Sequence, residues 1–177
     1  MVTSNGTRSV TILQRWWLAI RPRTLPAAAS PVLIGWAIAW VNGAFHVLPA
    51  IIILLCALLL QILANLVNDV ADFQKGTDKS GRLGPTRVTQ SGLLSIHAVW
   101  TGAAVVALLA AAGGLYLAIF RGWPVLVIGG VALVCAVLYT VGPFAFEDYG
   151  LGDLAAFLFF GFVTVCSATY ILLGYLV

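Results

Sequence analysis

Residues 47–72 read VLPAIIILLCALLLQILANLVNDVAD, a long apolar run that becomes polar toward its end. A run of about 20 apolar residues is enough to cross the hydrocarbon core of a bilayer, and Val47–Val67 is such a run. The chain is therefore predicted to be all-α, a polytopic transmembrane helical bundle of about five spans, in a single domain over residues 1–177. The four further stretches of similar length lie near Thr24–Val41, Leu93–Ile119, Trp123–Val141 and Leu151–Val177.

The composition agrees with a membrane protein and argues against other classes. Of the 177 residues, 62% are hydrophobic and 8% are charged, whereas about a quarter of the residues of a soluble domain carry charge. The net charge of +3 does not indicate nucleic-acid binding, because the basic residues fall between the apolar stretches. The three cysteines lie inside apolar stretches without Cys-x-x-Cys spacing, so neither a metal cluster nor a disulfide framework is predicted.

The distribution of lysine and arginine predicts the orientation in the membrane. Basic residues in short loops are kept on the cytoplasmic side, and Arg121 is the only one in the loops of the opposite side. We therefore expect a multi-pass protein of the cell inner (plasma) membrane, with its amino terminus and the loop over residues 69–92 in the cytoplasm. The other basic residues are Arg8, Arg15, Arg21 and Arg23 before the first stretch, and Lys75, Lys79, Arg82 and Arg87 after the second.

A polar stripe ends the second apolar stretch. At about 100° per residue its five members fall within an arc of about 100° on a helix. A carboxylate inside a membrane is expensive unless it is paired or bound to a metal, so the stripe should face a cavity, a partner or an ion. Mg²⁺ prefers carboxylate oxygens and commonly joins one or two of them to phosphates; the alternative is an ordinary polar helix end. The five residues are Gln61, Asn65, Asn68, Asp69 and Asp72.

The loop that follows the stripe contains cations, glycines and one more carboxylate, Asp78. Lys75, Arg82 and Arg87 can hold phosphate oxygens, and glycine lets the backbone approach a ligand closely. These residue types are suited to a diphosphate. A basic cytoplasmic loop is also what membrane topology alone predicts, so that interpretation stays open.

Together these residues resemble the first aspartate-rich motif of the UbiA-type intramembrane prenyltransferases. The strings N-x-x-N-D-x-x-D-x-x-K-G-T-D over residues 65–78 and R-x-G-P-x-R-x-x-Q-S-G over residues 82–92 are similar to one branch. That branch comprises the 1,4-dihydroxy-2-naphthoate polyprenyltransferases of menaquinone synthesis. Two flanking segments agree with it, RPRTLP at residues 21–26 and GLGDL at residues 150–154.

The resemblance implies an Mg²⁺-dependent aromatic prenyltransferase, which moves a polyprenyl group from polyprenyl diphosphate onto 1,4-dihydroxy-2-naphthoate and gives demethylmenaquinone. It implies three sets of site residues. The catalytic set is Asp69, Asp72, Lys75 and Arg87. The substrate-binding set is Asn65, Asn68, Asp78 and Arg82, and the metal-binding set is Asp69, Asp72 and Asp78.

The resemblance also implies about nine spans and a second aspartate-rich motif, which this sequence lacks. We therefore expect the chain to be the amino-terminal part of a prenyltransferase, incomplete at its carboxyl end. Other readings remain: a prenyltransferase for 4-hydroxybenzoate or homogentisate, a catalytically inactive fragment, or a membrane transporter component whose polar stripe lines a permeation path. The sequence does not determine the prenyl chain length or the oligomeric state.

Overall fold

The computed structural model describes residues 10–76, 87–138, 141 and 157–175. Within these ranges the regular structure is helical, and no strand occurs. The predicted all-α fold is thus confirmed. The described residues contain six α-helices: α1 (Ile12–Ile20), α2 (Leu25–Val41), α3 (Val47–Lys75), α4 (Ile96–Arg121), α5 (Pro124–Leu138) and α6 (Thr164–Leu173). A 3-10 turn at Pro22–Thr24 joins α1 to α2, and a π-helical segment at Phe157–Val163 leads into α6.

Three of the described helical stretches are long and apolar enough to cross a membrane, namely Ile12–Val41, Val47–Lys75 and Ile96–Arg121. Shorter apolar helices occupy Pro124–Leu138 and Phe157–Leu173. Large apolar side chains on the long helices face away from the bundle: Leu13 in Ile12–Val41 is 80% exposed, and Ile119 in Ile96–Arg121 is 81% exposed. Such surfaces are stable in lipid rather than in water, so the protein is embedded in a membrane.

The observed helix bounds correct the predicted spans in two places. The second span begins at Val47 as predicted, but α3 continues past Val67 to Lys75 and ends where Gly76 takes up the left-handed conformation, with φ of 67°. The polar stripe is therefore helical throughout. The third span begins at Ile96 rather than Leu93, because the Ser95 side chain accepts from the N–H of Ala98 and caps α4.

Helix α1 is absent from the predicted spans, because its 9 residues are too short to cross a bilayer. A reciprocal capping box starts it, in which Thr11 and Gln14 each bond the other's backbone N–H. The helix ends at Arg21, whose φ of 54° turns the chain toward α2. Trp17 is 64% exposed, whereas Ala19 on the opposite side is buried against the bundle.

Close approach of the helices depends on small residues, as is common in membrane bundles. A Cβ atom added to Gly35 of α2 would lie 2.6 Å from Ala168 of α6. Gly102 of α4 similarly accommodates the Trp16 ring of α1. At the carboxyl end of α4, the Arg121 side chain donates to the carbonyl oxygens of Ile171 and Leu172 near the end of α6. Its Nε lies 2.6 Å from the carbonyl oxygen of Ile171.

Two buried apolar clusters fill the bundle. One packs the first half of α3 against α2, α4 and α6, around Val32, Ala50 and Leu172. The other packs the second half of α3 against α1 and the start of α4, around Val70 and Val99. The second cluster supports the end of α3 that carries the polar stripe, so the stripe projects from a well-packed segment.

Candidate functional site

The polar stripe of α3 faces the protein interior, as predicted. Asn65, Asp69 and Asp72 are 6%, 2% and 5% exposed. Their partners come from two elements that the sequence separates widely: the connection between α1 and α2, and the turn at residues 87–92 before α4. The stripe therefore divides into three groups of contacts along the helix.

The first group joins α3 to the connection between α1 and α2. Asn65 Nδ2 donates to the carbonyl oxygen of Ile20 and to Thr24 Oγ1, both at 2.9 Å. Gln61 Nε2 lies 3.4 Å from both Thr24 Oγ1 and Asn65 Oδ1. The Thr24 hydroxyl in turn donates to the carbonyl oxygen of Arg21 at 2.9 Å. The amide of Asn65 thus holds the amino-terminal elements on α3, and its predicted role in substrate binding stays a prediction.

The second group is centred on Arg87. Its Nη1 donates to Asn68 Oδ1 at 2.5 Å, and its Nη2 forms an ion pair with Asp72 Oδ2. Residues four apart on a helix lie one above the other, so one guanidinium can reach both. Arg87 itself is only 6% exposed. The structure thus brings together three residues that the sequence assigned to the site.

The third group is centred on Asp69. Its Oδ1 accepts from the backbone N–H of Val88 at 3.2 Å. Its Oδ2 accepts from the backbone N–H of Thr89 at 3.0 Å and from the Thr89 hydroxyl at 2.6 Å. Arg21 Nη2 lies 4.0 Å from Oδ1. The carboxylate is thereby compensated by neutral donors and a nearby cation, which is how a buried charge is tolerated.

The turn that presents Arg87 has its own internal hydrogen bonds. Ser91 Oγ donates to the carbonyl oxygen of Arg87 at 2.7 Å, and the N–H of Leu93 donates to that of Val88 at 3.0 Å. Gly92, with φ of 68°, supplies the left-handed position. Arg15 of α1 donates to the carbonyl oxygen of Leu93 at 3.2 Å. These bonds fix the backbone of the turn relative to α1 and α3.

Sequence reasoning missed two residues of the site, Thr89 and Arg21. Thr89 carried no recognisable signal, whereas Arg21 belonged to the flanking RPRTLP segment but received no role. Lys75 lies exposed in the last turn of α3. Asp78 and Arg82 fall outside the described residues, so their predicted roles stay predictions.

A cavity of about 490 Å³ lies beside the stripe. Helices α2 to α6 and the π-helical segment line it, mostly with alanine, glycine, valine, leucine and isoleucine residues. Gln61, Asn65 and Asn68 form part of its wall. The volume is typical of a ligand pocket, and the apolar lining with polar groups from one helix suits an amphipathic molecule.

The donor chemistry of the stripe fits a hard divalent cation. Among the described residues, no cluster of three or more His, Cys, Asp or Glu side chains could enclose a metal. Mg²⁺ does not need such a cage, because it keeps several waters and is held by one or two carboxylates together with phosphates. The Asp72 carboxylate and the Asn68 amide oxygen meet at Arg87 and are oxygen groups of the type that Mg²⁺ prefers.

The chain is thus a polytopic membrane protein with a largely apolar cavity and a charged cluster at the end of one helix. The UbiA prenyltransferase family model matches residues 28–175, and the chain belongs to that family. This confirms the resemblance inferred from the sequence.

Bacterial relatives show which members of the family the chain resembles. The chain is 37% identical over 166 residues to the 1,4-dihydroxy-2-naphthoate octaprenyltransferase of Escherichia coli K12, covering 89% of this chain and 53% of that protein. It is 38% identical over 157 residues to the Mycobacterium tuberculosis protein of the same name, covering 88% and 53%. A 2-carboxy-1,4-naphthoquinone phytyltransferase of Synechocystis is 31% identical, covering 88% and 50%. The chain thus spans about half the length of these curated relatives.

A solved structure shares the fold. The digeranylgeranylglyceryl phosphate synthase structure superposes with a TM-score of 0.59 at 19% sequence identity. The match covers 90% of this chain and 59% of that one. At this identity the likeness supports the helical arrangement alone.

Proposed function

We propose that the protein carrying this chain transfers a polyprenyl group from polyprenyl diphosphate to 1,4-dihydroxy-2-naphthoate, with loss of the carboxylate as CO₂ and release of diphosphate, giving the reduced (quinol) form of demethylmenaquinone. The observation that carries the proposal is the cluster of buried Asp72 and Arg87 with half-buried Asn68, and Asn68 also lines the apolar cavity. A prenyl diphosphate has matching chemistry, with an anionic head and a long hydrocarbon tail. Family membership and the names of the bacterial relatives support the reaction and the acceptor.

The cationic residues are assigned to the diphosphate, and the carboxylate and amide residues to the metal. Arg87, with Lys75 and Arg82, donates to the phosphate oxygens and neutralises part of their charge. Asp72 and Asn68 supply oxygen ligands for Mg²⁺, with Asp69 and Asp78 as the other predicted metal carboxylates. When bound, Mg²⁺ stabilises the diphosphate leaving group as the allylic carbon–oxygen bond breaks.

The apolar cavity contributes by excluding water. An allylic cation formed beside the diphosphate reacts with any nucleophile in reach, and a lining of aliphatic side chains leaves the electron-rich naphthoate ring as the nucleophile at hand. Asn65 keeps the amino-terminal elements on α3 and closes the wall at that end. Its replacement should therefore affect the cavity more than the chemistry.

We propose the orientation predicted from the basic residues, with the stripe and its loop at the cytoplasmic face of the plasma membrane. Polyprenyl diphosphate and the naphthoate then reach the site from the bilayer and the cytoplasm. We also retain the proposal of a single transmembrane prenyltransferase domain.

The test is an activity measurement on the complete gene product that contains this chain, in membranes, with a polyprenyl diphosphate, 1,4-dihydroxy-2-naphthoate and Mg²⁺. Asp72→Asn should slow turnover at least tenfold, because loss of a metal ligand removes about 1.4 kcal/mol or more of transition-state stabilisation. Asn65→Ala should have a milder effect. Asp148→Asn, outside the stripe, is the charge-matched control and should leave turnover nearly unchanged.

The acceptor and the activity are tested separately. Transfer only to 4-hydroxybenzoate or homogentisate would refute the naphthoate assignment but keep the family chemistry. A complete gene product that binds the prenyl diphosphate but transfers it to none of these acceptors would contradict the proposed enzyme function.

A further inference from the structure

Asp69 and Asp72 lie three residues apart on α3, yet they contact the turn at residues 87–92 in different ways. Asp72 pairs with the side chain of Arg87, whereas Asp69 accepts hydrogen bonds from the two residues that follow it, Val88 and Thr89. One aspartate therefore holds the guanidinium and the other holds the backbone that carries it.

The acceptor sites of Asp69 are largely occupied. A carboxylate offers about four lone-pair sites, and three described donors approach this one, two of them at Oδ2. The remaining site is on Oδ1, where Arg21 Nη2 lies 4.0 Å away. Three of these four sites thus bond the turn, so the contacts of Asp69 point to a structural role rather than the metal-ligand role that the sequence motif predicts for it.

The bonds to Asp69 also determine where Arg87 can reach. Val88 and Thr89 are the next residues along the chain, so anchoring their N–H groups fixes the Cα of Arg87 beside α3. From there its guanidinium contacts Asn68 and Asp72. Without the anchor, the turn would be free to move relative to α3, and the guanidinium would lose its fixed position.

We infer that Asp69 is a positioning residue, which clamps the turn at residues 87–90 so that Arg87 stands ready for the diphosphate, and that Asp72 is the metal-facing carboxylate of the pair. This inference rests on the proposed function, since it assigns roles within the same diphosphate site. It separates two aspartates to which the motif gives the same role.

The first experiment uses Thr89, whose hydroxyl bonds Asp69 and whose loss leaves every carboxylate in place. The probe is inorganic diphosphate, and its dissociation constant is measured with the purified complete gene product in detergent. Thr89→Val should weaken binding about three- to tenfold, and Thr89→Ser, which keeps the hydroxyl, should restore it. Thr101→Val is the matched control, because within the described part of the chain the exposed Thr101 hydroxyl bonds the carbonyl oxygen of His97 in its own helix and nothing at the site.

The second experiment tests which of the two aspartates binds the metal. It uses Mn²⁺ as a spectroscopic substitute for Mg²⁺ in electron paramagnetic resonance titrations with diphosphate present. Asp69→Asn should leave the Mn²⁺ dissociation constant within about twofold, whereas Asp72→Asn should raise it more than tenfold, or about 1.4 kcal/mol. In an Arg87→Gln background, Asp69→Asn should have no further effect on diphosphate binding, because the clamp acts through Arg87.

Two outcomes would overturn the inference. One is an equal loss of Mn²⁺ affinity in Asp69→Asn and Asp72→Asn, which would make Asp69 a ligand. The other is diphosphate binding by Thr89→Val equal to that of the unmodified protein. Both measurements are independent of product formation. Failure to prenylate naphthoate would therefore refute the proposed function but not the positioning role of Asp69.

Discussion

Replacing Arg87 by methionine keeps the length and much of the volume of the side chain but removes its charge. Arg87 is 6% exposed and its partner Asp72 is 5% exposed, so the change leaves a carboxylate in a buried site without its guanidinium. Breaking a buried pair by removing one partner costs about 3–5 kcal/mol. Asp72 makes further interactions besides this pair, so we expect the lower end, about 3 kcal/mol.

The informative comparison is with the double variant Arg87→Met/Asp72→Leu. Replacing a whole buried pair with apolar residues is often neutral or stabilising, so the double variant should recover most of the loss, to within about 1 kcal/mol of the unmodified protein. Its activity should nevertheless stay low, because the carboxylate that we assign to the metal and the guanidinium that we assign to the diphosphate are both gone. The double variant should therefore regain stability without regaining activity.

The assay is reversible unfolding of the complete gene product in mixed detergent micelles with increasing sodium dodecyl sulfate, followed by tryptophan fluorescence. Arg23→Met is the matched control: Arg23 is exposed, and its replacement should change stability by no more than about 0.5 kcal/mol. If the double variant were as unstable as Arg87→Met alone, the loss would not come from an unpaired buried carboxylate, and the reasoning would be wrong.

Three other predictions concern the fold. A Gly81→Cys variant should react with a membrane-impermeant maleimide only from the cytoplasmic side of oriented vesicles; reaction from outside would reverse the topology. Gly35→Val should destabilise the bundle by about 1–3 kcal/mol in the detergent assay, because its Cβ would clash with Ala168, whereas Gly129→Ala meets open space and should be neutral. Arg121→Gln should cost about 1.5–3 kcal/mol by weakening charged hydrogen bonds to the end of α6, and an unchanged unfolding midpoint would contradict that role.

The spans could be predicted from the sequence because a bilayer imposes a length that apolar runs reveal directly. The bounds were less accurate where polar bonds, rather than apolar length, sustain a helix. The apolar run ends at Val67, but the polar side chains beyond it form hydrogen bonds and ion pairs inside the protein, and α3 continues to Lys75. Helix α1 was missed because its nine residues are too few to span, although the Thr11 and Gln14 cap could have been read from the sequence.

The site was predictable only as a set of side chains on one face. Helical periodicity places Asn65, Asp69 and Asp72 together and indicates an interior, which the burial confirms. It does not say what lies opposite each residue, because the partners come from elsewhere in the chain; Thr89 is 20 residues from Asp69. The division of the two aspartates therefore appears only in the folded structure.

The same division explains how a charged site can be kept ready inside a membrane protein. A carboxylate without a ligand must be paired, and here the paired cation is the one we assign to the diphosphate. A guanidinium has five N–H donors in a planar fork, and Asn68 and Asp72 take one each from its two terminal nitrogens. Arg87 is therefore held between these two partners before any diphosphate arrives. The diphosphate that we propose as substrate would meet a cation already in position beside the cavity.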